Sequence, residues 1–185
     1  AGLGKQSFAF ELILERQEFF VEVADPGAAR RLGIGEVFAH GDVADLADAA
    51  RGVLACPVCE QGLDVGERPV RCPEGHAFDV ARQGYVNLLG QAPPANADTP
   101  AMVAARDRVL TSGLYAPIAE QVATRLWGAS VVLDVGAGTG YYLAAALDAH
   151  PDARGVALDV SVAAAKRAAR AHGRAASVVG DVWGR

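Results

Sequence analysis

The residues best suited to chemistry in this sequence are three cysteines and one histidine within a single short stretch. Their spacing is Cys56-x2-Cys59, then twelve residues, then Cys72-x3-His76. Two short pairs separated by a loop suit tetrahedral Zn²⁺, because each pair can close on the metal through one turn. A redox Cys-x-x-Cys unit is the alternative, but it leaves Cys72 and His76 unexplained. Three thiolates and one imidazole fill all four positions, so the pattern predicts a structural zinc site.

The zinc ion is expected to fold a small module, residues 51–90, whose own core would be too small to hold it together. Basic and aromatic side chains surround the predicted metal: Arg68, Arg71, Arg82, Phe78 and Tyr85. These side chains can bind phosphates and stack on bases, which predicts an RNA-facing surface. The alternative is that the aromatic rings pack the small core and the arginines are only solvated.

A glycine loop, in the stretch "VVLDVGAGTGYYL", is the second candidate site. Gly136, Gly138 and Gly140 directly follow a predicted strand and precede a predicted helix. A nicotinamide fingerprint, G-x-G-x-x-G, would need a glycine where Tyr141 stands. The observed spacing after Asp134 instead suits S-adenosylmethionine (SAM), whose ammonium group that carboxylate can bind. A nicotinamide or other nucleotide cofactor is the alternative.

Two further acids follow the next two predicted strands. Asp159 ends the second strand, where a carboxylate can hold both hydroxyls of a ribose. Asp181 follows the third strand, where a side chain can reach the adenine amino group; the alternative is that it is only a turn residue. Acids at three successive strand ends are more specific than a glycine loop alone, and they favour SAM.

The elements that must position these side chains alternate between strand and helix from Ser130 onward. The predicted strands are "SVVLDV", "RGVALDV" and "ASVVGDV", and the helices are "YYLAAALDAH" and "VAAAKRAARAH". Ser161 is the expected N-cap of the second helix and Gly173 its expected stop. This alternation predicts an α/β fold with a parallel, doubly wound sheet.

The segments upstream divide by composition. "QAPPANADT" reads as a linker, and two helices follow it. Thr99 is the expected N-cap of the first, Gly113 its stop, and Gly128 the end of the second. Residues 1–50 predict two strands, "SFAFELIL" and "EFFVEVAD", and a helix that begins at Asp42, with no motif. The expected units are an unassigned α/β extension (1–50), the zinc module (51–90), linker and helices (91–129) and the cofactor unit (130–185).

Charge and hydropathy set limits on function. The formal net charge is -5, which argues weakly against a nucleic-acid binder on charge alone. No apolar run approaches the roughly 20 residues that a membrane-spanning helix needs. The first residues lack the basic-then-apolar order of a signal peptide, so the sequence predicts a cytoplasmic protein without a membrane segment.

The stretch "CPEGHAFDVARQGYVNLL", followed by "DTPAMVAARDRVLTSGLYAPI", closely resembles the 23S rRNA (guanine-N1)-methyltransferases of the RlmA type. The likeness is strongest to the branch linked to tylosin and macrolide resistance, and it covers about residues 54–185. It implies that the zinc module recognises a hairpin of 23S rRNA and that the SAM domain methylates N1 of one guanine. The matching zinc ligands are Cys56, Cys59, Cys72 and His76. The matching SAM contacts are Asp134, Gly136, Gly138, Asp159 and Asp181, and the candidate cofactor residues also include Gly140 and Tyr141.

The resemblance leaves the catalytic base unassigned. A complete fold of this kind needs about twice as many strands as the three predicted here. The guanine pocket would follow the fourth strand, so the chain is expected to be a fragment that carries the N-terminal half of the SAM domain. A homodimer remains open. The alternatives are a zinc-knuckle RNA-binding module without catalysis and a SAM methyltransferase of small molecules.

Overall fold

A computed structural model describes residues 9–14, 17–23, 49–66 and 69–182 of the chain. The helix predicted from Asp42 lies outside these residues except for its last turn, in which Ala49 and Ala50 are helical and buried. No helix in the described ranges is long and apolar enough to cross a membrane.

The strands and helices follow the predicted alternation in the second half of the chain. The strands are β1 (Ala9–Leu14), β2 (Gln17–Val23), β3 (Val70–Arg71), β4 (Ala77–Phe78), β5 (Tyr85–Asn87), β6 (Val131–Val135), β7 (Arg154–Asp159) and β8 (Ala175–Val179). The helices are α1 (Pro100–Leu110), α2 (Ala116–Arg125), α3 (Tyr141–Ala149) and α4 (Val162–Ala168).

One six-stranded sheet organises the protein, in the order β1-β2-β6-β7-β8-β5. Strands β6, β7, β8 and β5 are parallel, whereas β1 and β2 form an antiparallel hairpin whose second strand pairs antiparallel with β6. The predicted α/β fold with a parallel sheet is therefore confirmed. The sequence did not predict that β5, which lies within residues 51–90, would pair with β8 of the cofactor unit.

The helix boundaries follow local capping chemistry. The side chain of Thr99 accepts from the N–H of Met102 at the start of α1, and Ser161 accepts from the N–H of Ala164 at the start of α4. Both N-caps were predicted, and both satisfy N–H groups that a helix leaves unpaired.

The predicted end of the last helix was wrong. Helix α4 ends at Ala168, and the chain continues in tighter turns in which Arg170 donates to the carbonyl of Arg167. Gly173 therefore does not stop the helix, and its φ is not among the positive values. The tighter turns bring Ala171 against Gly140 of the glycine loop.

The apolar core lies on both faces of the sheet. On one face, Val131 and Leu133 pack with the module that carries the cysteines, including Leu63 and Val70. On the other face, Val132 packs with residues of α3 and α4 and with Leu126, the C-cap residue of α2. The alternation of Val131, Val132 and Leu133 between the faces is what a strand buried on both sides requires.

Candidate functional site

Two tight turns hold the predicted zinc ligands. In the first turn, the N–H of Val58 points at Cys56 Sγ at 3.4 Å, and Glu60 has a φ of 62°. In the second, the N–H of Cys72 donates to the carbonyl oxygen of His76 at 3.0 Å. Backbone N–H groups directed at sulfur favour the thiolate form that a metal needs.

The four donor atoms fit a tetrahedral metal site. All lie within 4.8 Å of one another. Cys59 Sγ lies 3.6 Å from Cys72 Sγ, and His76 Nδ1 lies 3.2 Å from Cys72 Sγ and 3.7 Å from Cys56 Sγ. A tetrahedron with Zn–S bonds of about 2.3 Å holds its sulfurs about 3.8 Å apart, so three sulfurs and one nitrogen at these distances suit Zn²⁺.

The thiols in this cluster are electrostatically linked. Burial disfavours the Cys72 thiolate, but hydrogen bonds from Cys59 and His76 outweigh it and lower the pKa of Cys72 to about 7. The backbone of Gln61 favours the Cys59 thiolate, but burial and hydrogen bonds with Cys72 and Cys56 raise the pKa of Cys59 to about 11. The cluster thus holds protons that a bound metal would displace.

The predicted RNA-facing surface is only partly built as expected. Arg71 and Arg82 are exposed, whereas Arg68 lies outside the described residues. Phe78 is half-buried and packs against the core, as the alternative reading held. Tyr85 belongs to the edge strand β5 and is half-buried there.

The glycine loop joins β6 to α3 in a backbone conformation that residues other than glycine rarely adopt. Gly136, Gly138 and Gly140 have φ values of 71°, 54° and 75°. A Cβ on Gly140 would lie 2.8 Å from the Cβ of Ala171, so this position tolerates only glycine without rearrangement. The loop therefore needs glycine for two reasons: its backbone has positive φ values, and Ala171 packs closely against Gly140.

The Asp159 carboxylate, at the end of β7, ties the loop to the neighbouring strand. Its Oδ2 accepts from the N–H of Gly138 and its Oδ1 from the N–H of Ser161, both at 2.8 Å. Its carbonyl oxygen accepts from the N–H of Gly180 at 3.0 Å, which places the exposed Asp181 on the same edge of the sheet. The structure thus brings the predicted acids to one edge, where parallel strands place ligands.

Asp134 is the most unusual acid of this edge. Its side chain lies in β6 and is 2% exposed, and neither carboxylate oxygen has a hydrogen-bond partner among the described residues. Burial, followed by the negative charge of Asp159, raises its pKa to about 7, and the nearby backbone of Leu143 offsets this only in part. A buried carboxylate without partners costs free energy unless a ligand supplies a donor.

Two other polar side chains of the glycine loop and of the start of α3 have unusual surroundings. The hydroxyl of Thr139 in the loop is buried and also lacks a partner among the described residues. Burial, followed by Tyr115, Tyr141 and Asp134, raises the pKa of Tyr142. The predicted residue Tyr141 opens α3, and its ring meets that of Tyr142 edge to face at 5.2 Å.

These features fit SAM better than a dinucleotide. The buried Asp134 carboxylate needs a donor, which an ammonium group supplies, and Thr139 needs a partner of either kind. An anionic pyrophosphate would instead meet two carboxylates, Asp134 and Asp159, which interact electrostatically across the loop. The residues present therefore suit a cationic, ribose-bearing cofactor.

The sequence did not reveal two residues of this site. Arg106 of α1 lies against Gly138, although no motif singles it out among the arginines of its helix. Thr139 lies inside the glycine loop itself, and this position alone would have been enough to predict it as a site residue. The direction in which α1 presents Arg106 depends on tertiary packing, which helix periodicity does not determine.

The structure combines a cysteine-histidine knuckle with a parallel sheet that carries a glycine loop and acids at its strand ends. This combination defines a zinc-ribbon protein with an α/β fold of the type that binds nucleoside cofactors. Residues 54–93 match the zinc-ribbon family model described as "RlmA, N-terminal". Zinc as a cofactor is therefore confirmed, whereas the identity of its ligands stays a prediction.

The chain is also similar to named methyltransferases. A 23S rRNA (guanine(748)-N(1))-methyltransferase of Streptomyces fradiae is 52% identical over 136 residues, which cover 70% of this chain and 49% of that protein. A putative 23S rRNA (guanine-N(1)-)-methyltransferase of Micromonospora griseorubida is 47% identical over 154 residues, 71% of this chain and 52% of that protein. The protein YxjB of Bacillus subtilis (strain 168), with the same putative name, is 30% identical over 100 residues, 49% of this chain and 35% of that protein. The family resemblance seen in the sequence is confirmed, and the chain spans about half the length of the first two relatives.

Proposed function

We propose that this protein is a SAM-dependent methyltransferase that modifies N1 of a guanine in 23S rRNA, and that it acts in the cytoplasm. The observation that carries the proposal is the buried carboxylate of Asp134, which has no hydrogen-bond partner among the described residues, beside a glycine loop that Asp159 holds in place. The similarity to the rRNA methyltransferases of Streptomyces fradiae and Micromonospora griseorubida supports it.

Each residue of the sheet edge has a proposed role toward the cofactor. Asp134 would accept from the ammonium group, which favours its ionised form despite burial. Asp159 would bind the ribose hydroxyls through lone pairs that its two backbone N–H donors leave available. Asp181 would bind the adenine amino group, and the glycine loop with Tyr141 would line the cofactor. SAM, when bound, supplies the methyl group.

The proposed division of labour follows the sequence units. The zinc ribbon within residues 51–90, held by Cys56, Cys59, Cys72 and His76, would recognise a 23S rRNA hairpin, and residues 130–185 would bind the cofactor. Guanine N1 carries a proton at neutral pH, so the reaction also needs orientation and proton removal. The guanine must leave its stack or lie unpaired to reach the cofactor. We assign no catalytic base to a described residue.

The name of the Streptomyces fradiae relative suggests the target guanine, which is position 748. We propose the same position here, because identity to that protein is 52% over 136 residues. The resemblance to the macrolide-resistance branch extends the proposal to lower macrolide sensitivity in a strain that carries the modification.

The test is methylation of unmodified 23S rRNA, in the presence of SAM, by a form of the protein that spans the full length of the curated relatives, of which this chain covers about half. N1-methylguanine blocks base pairing, so primer extension should stop at one guanine, and nucleoside mass spectrometry should detect 1-methylguanosine. Asp159→Ala should abolish the stop, whereas Asp152→Ala, which changes an exposed acid before β7, should leave it unchanged.

Other outcomes would favour the alternatives. Tight rRNA binding without methylation would favour an RNA-binding module that lacks catalysis. Methylation of a small metabolite, with no product on rRNA, would favour a small-molecule methyltransferase.

A further inference from the structure

Arg106 of α1 reaches across to the glycine loop. Its Nη1 lies 3.4 Å, and its Cδ 3.7 Å, from where a Cβ on Gly138 would stand. Gly138 is one of the loop positions whose missing side chain leaves room beside the backbone. The guanidinium group therefore borders the glycine loop, which the sequence pattern assigns to the part of SAM that carries the ammonium group.

A continuous set of contacts fixes Arg106 there. Its Nη1 pairs with Asp98 Oδ2 at 2.6 Å, and the carbonyl oxygen of Asp98 accepts from Ser161 Oγ at 2.6 Å. The N–H of Ser161 donates to Asp159, which in turn accepts from the N–H of Gly138. These contacts therefore link α1, the start of α4, the end of β7 and the loop. They form a closed ring, because Gly138 of the loop lies next to Arg106.

The carboxylate of a bound SAM would need a cationic partner at this edge. Asp134 and Asp159 are both acids, and they suit the ammonium group and ribose of SAM, but neither suits its carboxylate. A guanidinium group carries five donors in a planar fork that matches a carboxylate, so pairing with Asp98 through Nη1 does not exhaust Arg106. At 28% exposure its side chain is partly desolvated, which strengthens such a contact.

We propose that Arg106 binds the carboxylate of the methionine part of SAM and that Asp98 positions it. This inference rests on the proposed function and adds a residue from outside the glycine loop to the cofactor site. It also gives α1 a role in cofactor recognition, because the helix supplies the group that distinguishes SAM from relatives without a carboxylate.

The test compares SAM with decarboxylated SAM, which keeps the sulfonium, amine and nucleoside but lacks the carboxylate. Calorimetric titration of the zinc-loaded protein measures both affinities. Arg106→Gln should weaken SAM binding about 10- to 100-fold, the range for a charge-assisted pair, and should leave binding of decarboxylated SAM nearly unchanged. Arg106→Lys should recover part of the loss, because it restores charge without the fork.

Arg108→Gln is the matched control, since it removes an exposed arginine from the same helix. It should leave both affinities unchanged. If Arg106 only holds α1 in place, Arg106→Gln should weaken both ligands equally, and Arg106→Lys should not restore the preference for SAM. That result would overturn the inference.

Two further results distinguish this inference from the proposed function. A wild-type protein that binds SAM, together with an Arg106→Gln variant that binds it as tightly, would overturn the arginine assignment alone. A wild-type protein that holds zinc but binds neither ligand would overturn the proposed function, and the assignment of Arg106 with it.

Discussion

At the scale of single residues, the buried carboxylate of Asp134 is where the cofactor hypothesis has its clearest physical consequence. Burial raises its pKa to about 7, so near neutral pH the free protein holds a mixture of charged and neutral forms. An ammonium ligand requires the charged form. Ligand affinity is therefore present above this pKa and is lost as the pH falls through it.

The expected result is that binding of S-adenosylhomocysteine weakens about 10-fold between pH 7.5 and pH 6, near the slope for one proton. Above about pH 8 the ligand's amino group begins to lose its own proton, so affinity should peak between these limits. Calorimetric titration across this range measures the profile. The residual binding of Asp134→Asn should show no loss on the acid side; an identical acid limb in that variant would assign the proton to another group.

Some residues of this edge could be predicted from the sequence, and others could not. Asp134, Asp159 and Asp181 could be placed because a parallel sheet brings strand ends to one edge. Arg106 could not, because its place depends on how α1 packs across the loop. The hydrogen bond from the Gly138 N–H to Asp159 could not be predicted either, because it joins residues 21 positions apart. Only the fold brings these two residues into contact.

At the scale of elements, α3 packs on β7 at a contact that leaves no room for a side chain. A Cβ on Gly155 would lie 2.5 Å from Leu143 Cδ1 and 3.1 Å from its Cγ, and Leu143 is itself buried. Because α3 begins at the glycine loop, this contact sets the height of the loop above the sheet. The packing of one glycine thus supports the glycine loop of the proposed cofactor site.

Gly155→Ala should therefore lower the free energy of unfolding by about 1–3 kcal/mol, the usual cost of overpacking a core. Gly173→Ala is the control, since a Cβ there would meet nothing within 4 Å and the backbone φ is ordinary. Urea denaturation of the two variants beside the wild type gives the comparison. Equal stability of all three would mean that α3 and β7 separate at little cost.

Element prediction succeeded where the signal was local. The caps at Thr99 and Ser161 involve contacts three residues away, so the sequence contains them in full. Strand β5 was missed because its three residues sit in a stretch dominated by cysteine spacing, and its partner β8 lies about 90 positions later in the chain. The early end of α4 was missed because packing against the loop determines it.

At the scale of the whole molecule, the zinc ribbon and the sheet share one core. Cys56, Leu63 and Val70 belong to the same buried cluster as Val131 and Val156. Strand β5 extends this connection, because it lies within the zinc-ribbon match at residues 54–93 and pairs with β8. The sequence suggests two separable modules, whereas this shared core couples the stability of one to that of the other.

Removal of zinc should therefore destabilise the sheet as well as the ribbon. A chelator, or Cys59→Ser, should lower the Tm in a single transition by more than about 10 °C, because structural zinc contributes many kcal/mol to folding. Val58→Ser, which changes an exposed residue of the same turn, should leave the Tm unchanged. Circular dichroism follows the melting, and two separate transitions after chelation would show that the units fold independently.

Direct titration tests whether the edge formed by β6, β7 and β8 is a SAM site. The zinc-loaded protein should bind one S-adenosylhomocysteine per chain with micromolar affinity, and Asp159→Ala should abolish the heat signal, whereas Asp152→Ala should not. NAD should give no signal at the same concentrations. Binding of NAD without binding of S-adenosylhomocysteine would show instead that the edge is a dinucleotide site.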